Sequence, residues 1–222
     1  MHIQRALGFL LALALVTLPA FADVAWVTPA YQGQDTSGTA SSLTITSVAG
    51  GGGNMVYGAI GFASNSGQTC TGATHNGNAM TLIGSQIDSG GGRSLCRYRI
   101  TGGSLGTGSC VFNLSAASLT LDGTCLVFSG VDTASPLGTS QTSTGFLVTS
   151  TSTTAVSSSA TGMVVDSFVV QNLVTGITVG ASQTEQSAQD DGANVTYHRT
   201  STEPGAASVT MSWSWTTNGV YA

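Results

Sequence analysis

Val209-Thr210-Met211-Ser212-Trp213-Ser214-Trp215 is the most informative stretch of the chain. Val209, Met211, Trp213 and Trp215 share one parity, and Thr210, Ser212 and Ser214 the other. Side chains of a β-strand alternate between faces, so this period of two is what a half-buried strand requires. The aromatic face suits a hydrophobic core; a sugar-stacking platform is the sharper alternative. The same grammar recurs upstream. Short β-rich runs are bounded by Gly, Ser, Asn and Asp, and helical periodicity is absent beyond the first residues. Strands are predicted near residues 24–28, 42–48, 54–64, 69–75, 79–87, 94–100, 108–114, 120–129, 145–157, 162–171, 176–181, 193–199 and 207–215. About a dozen short strands at this spacing predict an all-β fold, a single β-sandwich of jelly-roll type, with a barrel as the alternative.

Two runs resemble each other. Asn54-Met-Val-Tyr-Gly-Ala-Ile-Gly-Phe62 aligns with Gly162-Met-Val-Val-Asp-Ser-Phe-Val-Val170. Both are almost continuously apolar, which predicts central strands covered on two faces.

The N-terminus has the three parts of a secretory leader. Arg5 precedes an apolar run, Ala6–Leu18, then Pro19 and the small-x-small site Ala20-Phe21-Ala22. The run is shorter than the roughly 20 residues of a spanning helix, so no membrane span is expected. Cleavage after Ala22 would make Asp23 the first residue and leave one domain, residues 23–222, in an extracellular or periplasmic setting, with a sandwich truncated at its C-terminus as the alternative.

Charged residues are only 7% of the chain, against roughly 25% in ordinary domains. There is no Lys, so Lys Schiff-base chemistry and Lys–Asn isopeptide crosslinks are excluded. Disorder is disfavoured because 41% of the residues are hydrophobic. The formal charge is −5, and loss of Arg5 makes it more negative by one. Arg93, Arg97 and Arg99 form the only basic cluster, which is too little phosphate-neutralising charge for nucleic acid.

Cys70, Cys96, Cys110 and Cys125 are separated by 25, 13 and 14 residues, with no C-x-x-C pair. Two disulfides in an exported chain are therefore expected over zinc. Three pairings are open. Cys96, Tyr98 and Ile100 share a face, as do Cys110, Phe112 and Leu114, and Thr101–Gly106 reads as a hairpin loop between them. That placement favours Cys96–Cys110, which leaves Cys70 with Cys125.

Other chemical patterns are weak. Gly102-Gly-Ser-Leu-Gly106 matches G-x-S-x-G, but no helix follows to form the strained elbow that exposes a nucleophile, so Ser104 reads as a turn residue. His75, before the turn signal Asn76-Gly77, and His198, on a strand face with Asn194 and Thr196, read as exposed turn and strand residues. Asp190-Asp191-Gly192 with Glu185 reads as a solvated turn, with calcium as the alternative. Glu185 and Glu203 occupy no evident glycosidase arrangement. Asp166 interrupts an apolar strand and so needs hydrogen-bond partners. Gly50–Gly53 has no Lys-Ser/Thr after it and is no phosphate loop. No catalytic residue, cofactor or metal is expected.

Ala73-Thr-His-Asn-Gly-Asn-Ala-Met-Thr81, Ser94-Leu-Cys-Arg-Tyr-Arg-Ile100, Phe128-Ser-Gly-Val-Asp-Thr-Ala-Ser-Pro-Leu137 and Met211-Ser-Trp-Ser-Trp215 resemble parts of a group of secreted or surface bacterial β-sandwich domains, some of them phage tail-associated. The resemblance implies a surface role and carries no catalytic residues. In similar chains a further strand follows the tryptophan strand.

Here Thr216-Thr-Asn-Gly219 reads as a tight turn and only Val220-Tyr-Ala222 remains, which predicts an open sheet edge near the C-terminus. Three functional classes follow. The first is a non-catalytic extracellular binding or adhesion module for a cell-surface ligand or neutral glycan, since Asn, Ser, Thr, Tyr and Trp supply hydrogen bonds and stacking faces without charge. The second is a self-assembling subunit of a coat, fibre or matrix, a homo-oligomer joined through that edge. The third is a polysaccharide-active enzyme.

Overall fold

The computed structural model describes residues 23–27, 29–63, 67–88, 92–103, 105–192 and 196–222. The leader read in residues 1–22 lies outside the described residues. The described strands are β1 (Ala25–Trp26), β2 (Tyr31–Asp35), β3 (Ala40–Ala49), β4 (Met55–Ala63), β5 (Cys70–His75), β6 (Asn78–Ala79), β7 (Thr81–Ile87), β8 (Arg93–Thr101) and β9 (Thr107–Ser118). They continue with β10 (Leu121–Ser129), β11 (Gly145–Ser152), β12 (Met163–Gln171), β13 (Thr178–Val179), β14 (Thr184–Asp191), β15 (Thr196–Pro204) and β16 (Ser212–Tyr221). Among the described residues the only helical piece is a single 3-10 turn at Gly50–Gly52, and no helix there is long and apolar enough to cross a membrane.

The all-β sandwich is built from three antiparallel sheets. The middle sheet runs β1-β10-β4-β8-β7, with β2 also on β10. The outer sheet runs β3-β9-β5-β6, and the C-terminal sheet β11-β16-β12-β15-β14, with β13 on β16. Both faces of the middle sheet are covered, which is why β4 reads as an unbroken apolar run. Val56, Ile60 and Phe62 enter a core with Leu43 and Ile45 of β3 and Phe112 and Leu114 of β9. Met55, Tyr57 and Ala59 enter a second core with Leu126 and Phe128 of β10 and Val169 of β12. Burying each large apolar side chain contributes roughly 1.5–3 kcal/mol. Two glycines of β4 set the layer spacing: a Cβ at Gly58 would lie 2.9 Å from the Phe112 ring, and one at Gly61 3.2 Å from Val169. β12, the run that resembles β4, is likewise internal to its sheet.

The C-terminal sheet is folded into a wedge. β12 and β16 pair only through Val170–Tyr221 and Gln171–Val220, extended by mutual backbone bonds between Val169 and Ala222. Beyond that point they diverge, and β16 is held by β11 and β13 instead. Phe168 fills the gap, with ring centroids 4.7 Å from Trp213 and 5.8 Å from Trp215. Val209, Met211, Trp213 and Trp215 are all buried, so they form core and offer no stacking platform to solvent.

Four expectations are corrected here. The tight hairpin at Thr216–Gly219 does not form. Ser214 pairs with Ser150 and Gly219 with Val148, so the intervening residues of β16 bulge while the strand continues. The tryptophan strand consequently has neighbours on both sides, and the expected open edge is occupied by β11 on one side and by β13 and β12 on the other. The disulfides join Cys70 to Cys96 and Cys110 to Cys125, with Cα separations of 6.6 and 7.0 Å. Cys96–Cys110 fails because β8 and β9 are not a hairpin: the chain leaves the middle sheet after Thr101 and enters the outer sheet at Thr107. Each bridge ties the outer sheet to the middle one. Finally, Asp190 and Asp191 lie in β14, not in a turn. This strand buries Ser187, Gln189 and Asp191, an alternation written in polar residues.

Candidate functional site

Where the C-terminal wedge opens against the middle sheet there is a cavity of about 660 Å³. Met55, Tyr57 and Phe128 come from the middle sheet and Met163, Val165 and Met211 from the C-terminal one, giving an apolar floor. The connection between β10 and β11 forms a wall through Ser135, Thr139, Ser140 and Gln141, and Ser157–Ser159 with Thr161 form another. Size and lining suit a small ligand oriented by a few polar groups.

Arg97 of β8 and Asp166 of β12 bring opposite charge into this cavity from two different sheets. Arg97 can lie there because its cross-strand neighbour is Gly84, at a bulge of β7; a Cβ at Gly84 would stand 2.7 Å from an Arg97 terminal nitrogen. Asp166 Oδ2 accepts a hydrogen bond from Trp213 Nε1. Burial pushes the Asp166 carboxyl above the usual range, partly opposed by the Trp213 donor and the Arg97 charge. The partner that the sequence demanded for Asp166 is thus an indole across the wedge.

A polar seam beside the cavity holds the two sheets in place. Tyr57 OH and Ser167 Oγ are 2.9 Å apart, and Ser167 Oγ and Thr200 Oγ1 3.0 Å. Burial pushes the Tyr57 phenol up to about 12, so it stays a neutral donor or acceptor. Further along, Arg93 Nε donates to Thr196 Oγ1 at 2.7 Å, and Gln189 Nε2 donates to the carbonyl of Gly33. Asp122 is fully buried here, accepting from Gln34 Nε2 at 2.6 Å, and burial raises its carboxyl to about 7.

The remaining residues singled out in the sequence are scattered. Both His75 and His198 are fully buried, not exposed as expected. His75 packs at the inner end of β5, with Nδ1 3.7 Å from Cys110 Sγ. His198 faces the middle sheet, with Nδ1 3.1 Å from Gln189 Oε1, and burial lowers its imidazole to about 3. The wrong expectation has a simple cause: β15 is covered by β4 and β10, which a polar sequence does not announce. Glu185 Oε1 lies 3.3 Å from Arg199 Nε, and Asp190 also pairs with Arg199, so these carboxylates are cross-strand ion pairs of β14 and β15. Glu203 is on β15 and does not line the cavity. Ser104 and Asn194 lie outside the described residues. Among the described residues no group of three or more His, Cys, Asp or Glu side chains is placed to hold a metal ion. Arg97 was visible in the sequence only as part of a basic cluster; nothing local signals its approach to Asp166.

No protein-family model, curated protein or solved structure matches the chain. Fold and site therefore define the class: an all-β sandwich with an amphiphilic cavity between two of its sheets.

Proposed function

We propose that this protein is a non-catalytic, exported binding module that takes a glycan in the cavity between its middle and C-terminal sheets. The observation that carries this is the lining. An apolar floor of Met55, Phe128, Met163 and Met211 suits the C–H face of a sugar ring, while Ser, Thr and Gln walls with Arg97 and Asp166 suit its hydroxyls. Export rests on the leader at residues 1–22 and agrees with the two disulfides. The resemblance to bacterial surface domains points the same way.

The strand order supports a jelly-roll reading of the two disulfide-linked sheets. Taken in chain order, β2, β3, β4, β5, β6, β8, β9 and β10 give β2-β10-β4-β8 in one sheet and β3-β9-β5-β6 in the other, with β7 added at an edge. Jelly rolls serve in lectin and capsid domains, although a fold by itself assigns no function. A non-catalytic role is favoured over hydrolysis because two placed carboxylates are needed for the latter. Asp166 is on the cavity floor, whereas Asp132 at the rim accepts from the backbone N–H of Ala134, 2.9 Å away, in an exposed turn. The self-assembly alternative keeps its argument from low charge and polar strand faces but not the one from a C-terminal edge, because β11, β12 and β13 pair with that strand.

The test is a glycan array followed by calorimetry with the secreted protein. Saturable binding that is weakened at least tenfold by Met163→Lys, with no oligosaccharide cleavage, supports the reading. Absence of any saccharide binding, or cleavage of the bound oligosaccharide, overturns it.

A further inference from the structure

The cavity does not end at Arg97 and Asp166. Beyond them it continues into a side pocket of about 40 Å³, and Arg97, Gln141, Thr153, Asp166 and Met211 line both spaces. One water's share of the liquid is about 30 Å³, so the side pocket takes a substituent of a few heavy atoms and no sugar ring. Its walls are of two kinds. Leu95 of β8, Phe168 of β12, and Met211 and Trp213 of the tryptophan strand give an apolar back, all four buried. Among the described residues its charged side chains are Arg97 and Asp166, one of each sign. Asp132, the other acidic side chain of the cavity, lines only the larger space. Neither Arg97 nor Asp166 is consumed by the other: among the described residues, the ion pairs within 4.0 Å all belong to Arg199. Asp166 spends part of its accepting capacity on Trp213 Nε1 and the Ser167 backbone, and a carboxylate offers about four lone-pair sites.

We propose that this side pocket is an acetamido subsite, and that the glycan in the cavity carries an N-acetylhexosamine whose N-acetyl group enters it. This rests on the glycan reading above and names the class of sugar. The acetamide meets each demand of the walls. Its methyl packs against Leu95, Phe168 and Met211, where a hydroxyl would be buried without a partner. Its carbonyl accepts from the Arg97 guanidinium, a group with donors and no acceptor, and its N–H donates to the Asp166 carboxyl. A carboxylate in the same place would meet Asp166 as a like charge, and an ammonium would meet Arg97. The ring itself stays on the apolar floor of the larger cavity, beside Met211 and Met163.

The experiment is calorimetry on the secreted protein with three β-1,4-linked trimers: that of N-acetylglucosamine, its N-butyryl analogue and cellotriose. Cellotriose keeps the backbone and puts a hydroxyl where each acetamido group stands. The acetylated trimer should bind on the order of tenfold or more tighter than cellotriose, because it gains hydrogen bonds to charged groups and buries a methyl. The N-butyryl analogue should lose that gain, since the pocket has no room for two further methylenes. Arg97→Gln removes the donor, and Thr151→Leu fills the side pocket from β11. Each should bring the acetylated trimer to within about threefold of cellotriose, with the thermal midpoint reporting that the fold is kept. If either variant fails to fold, the acyl series on the unaltered protein decides alone. Equal binding of the acetylated trimer and cellotriose overturns the subsite and leaves the glycan reading standing. An N-butyryl analogue that binds as tightly as the acetylated trimer overturns it too, as does an acetyl preference that survives both substitutions. If neither the three trimers nor any array saccharide binds, both readings fall.

Discussion

Replacing Asp122 by Asn should stabilise the protein, and by an amount that grows with pH. Asp122 is fully buried on β10 in the seam between the middle and C-terminal sheets. Its ordinary value of 3.8 is raised to about 7, first by loss of water, with Asp191 and Asp190 adding like charge; the Gln34 and Thr120 hydrogen bonds pull the other way. In the unfolded chain the carboxyl releases its proton near 3.8, whereas the native protein holds it until about 7. The contribution is thus fully present below about 4 and is lost as pH rises through 7. At about 1.4 kcal/mol per pH unit, the penalty approaches about 4 kcal/mol above pH 7. Asn keeps the oxygen that accepts from Gln34 and cannot ionise. Urea unfolding of both proteins from pH 4.5 to 8.5 measures the effect. The stability difference should rise across that range and level off above pH 7. A difference that does not change with pH would show that Asp122 ionises freely in the native state, and would refute the claim that the seam is closed to water.

Three further outcomes follow from the geometry. Peptide mapping without reduction should recover Cys70 linked to Cys96 and Cys110 linked to Cys125; the second closes a short loop and should contribute about 3 kcal/mol, and a Cys96–Cys110 peptide would contradict the two-sheet crossing of the chain. Gly84→Val should push the Arg97 guanidinium aside, because the new Cβ would lie 2.7 Å from its terminal nitrogen; saccharide affinity should fall about tenfold with little change in melting temperature, and unchanged affinity would mean that Arg97 does not contact the ligand. Amide exchange along Trp213–Ser214 should be slow because β11 and β13 flank the strand; exchange as fast as at an exposed edge would restore the unpaired-edge expectation.

The parity of Val209, Met211, Trp213 and Trp215, the near-continuous apolar run of β4 and the spacing of turn residues were enough to establish an all-β chain and to place most strands. Those are local properties. Alternation is imposed by backbone geometry, and each strand carries it whatever its neighbours are. β14 escaped notice because it buries Ser187, Gln189 and Asp191, so its alternation has no hydrophobic contrast. The histidines were misplaced for a related reason: burial of a polar side chain depends on what covers it, and His198 is covered by residues more than a hundred positions away in the sequence.

What the sequence determined by itself was therefore the kind of structure: strands, two-faced central runs, an even set of export-compatible cysteines and a shortage of charge. Only the tertiary structure decided which strand belongs to which sheet. That choice redirected the disulfides, because β8 and β9 are consecutive in sequence but lie in different layers. It filled the expected C-terminal edge with β11 and β13. It also built the cavity, which Arg97 and Asp166 both line from strands in different sheets. Strand pairing and layer packing are settled by contacts remote in sequence, each too weak alone to leave a local mark, and the site exists only where those contacts leave the wedge open.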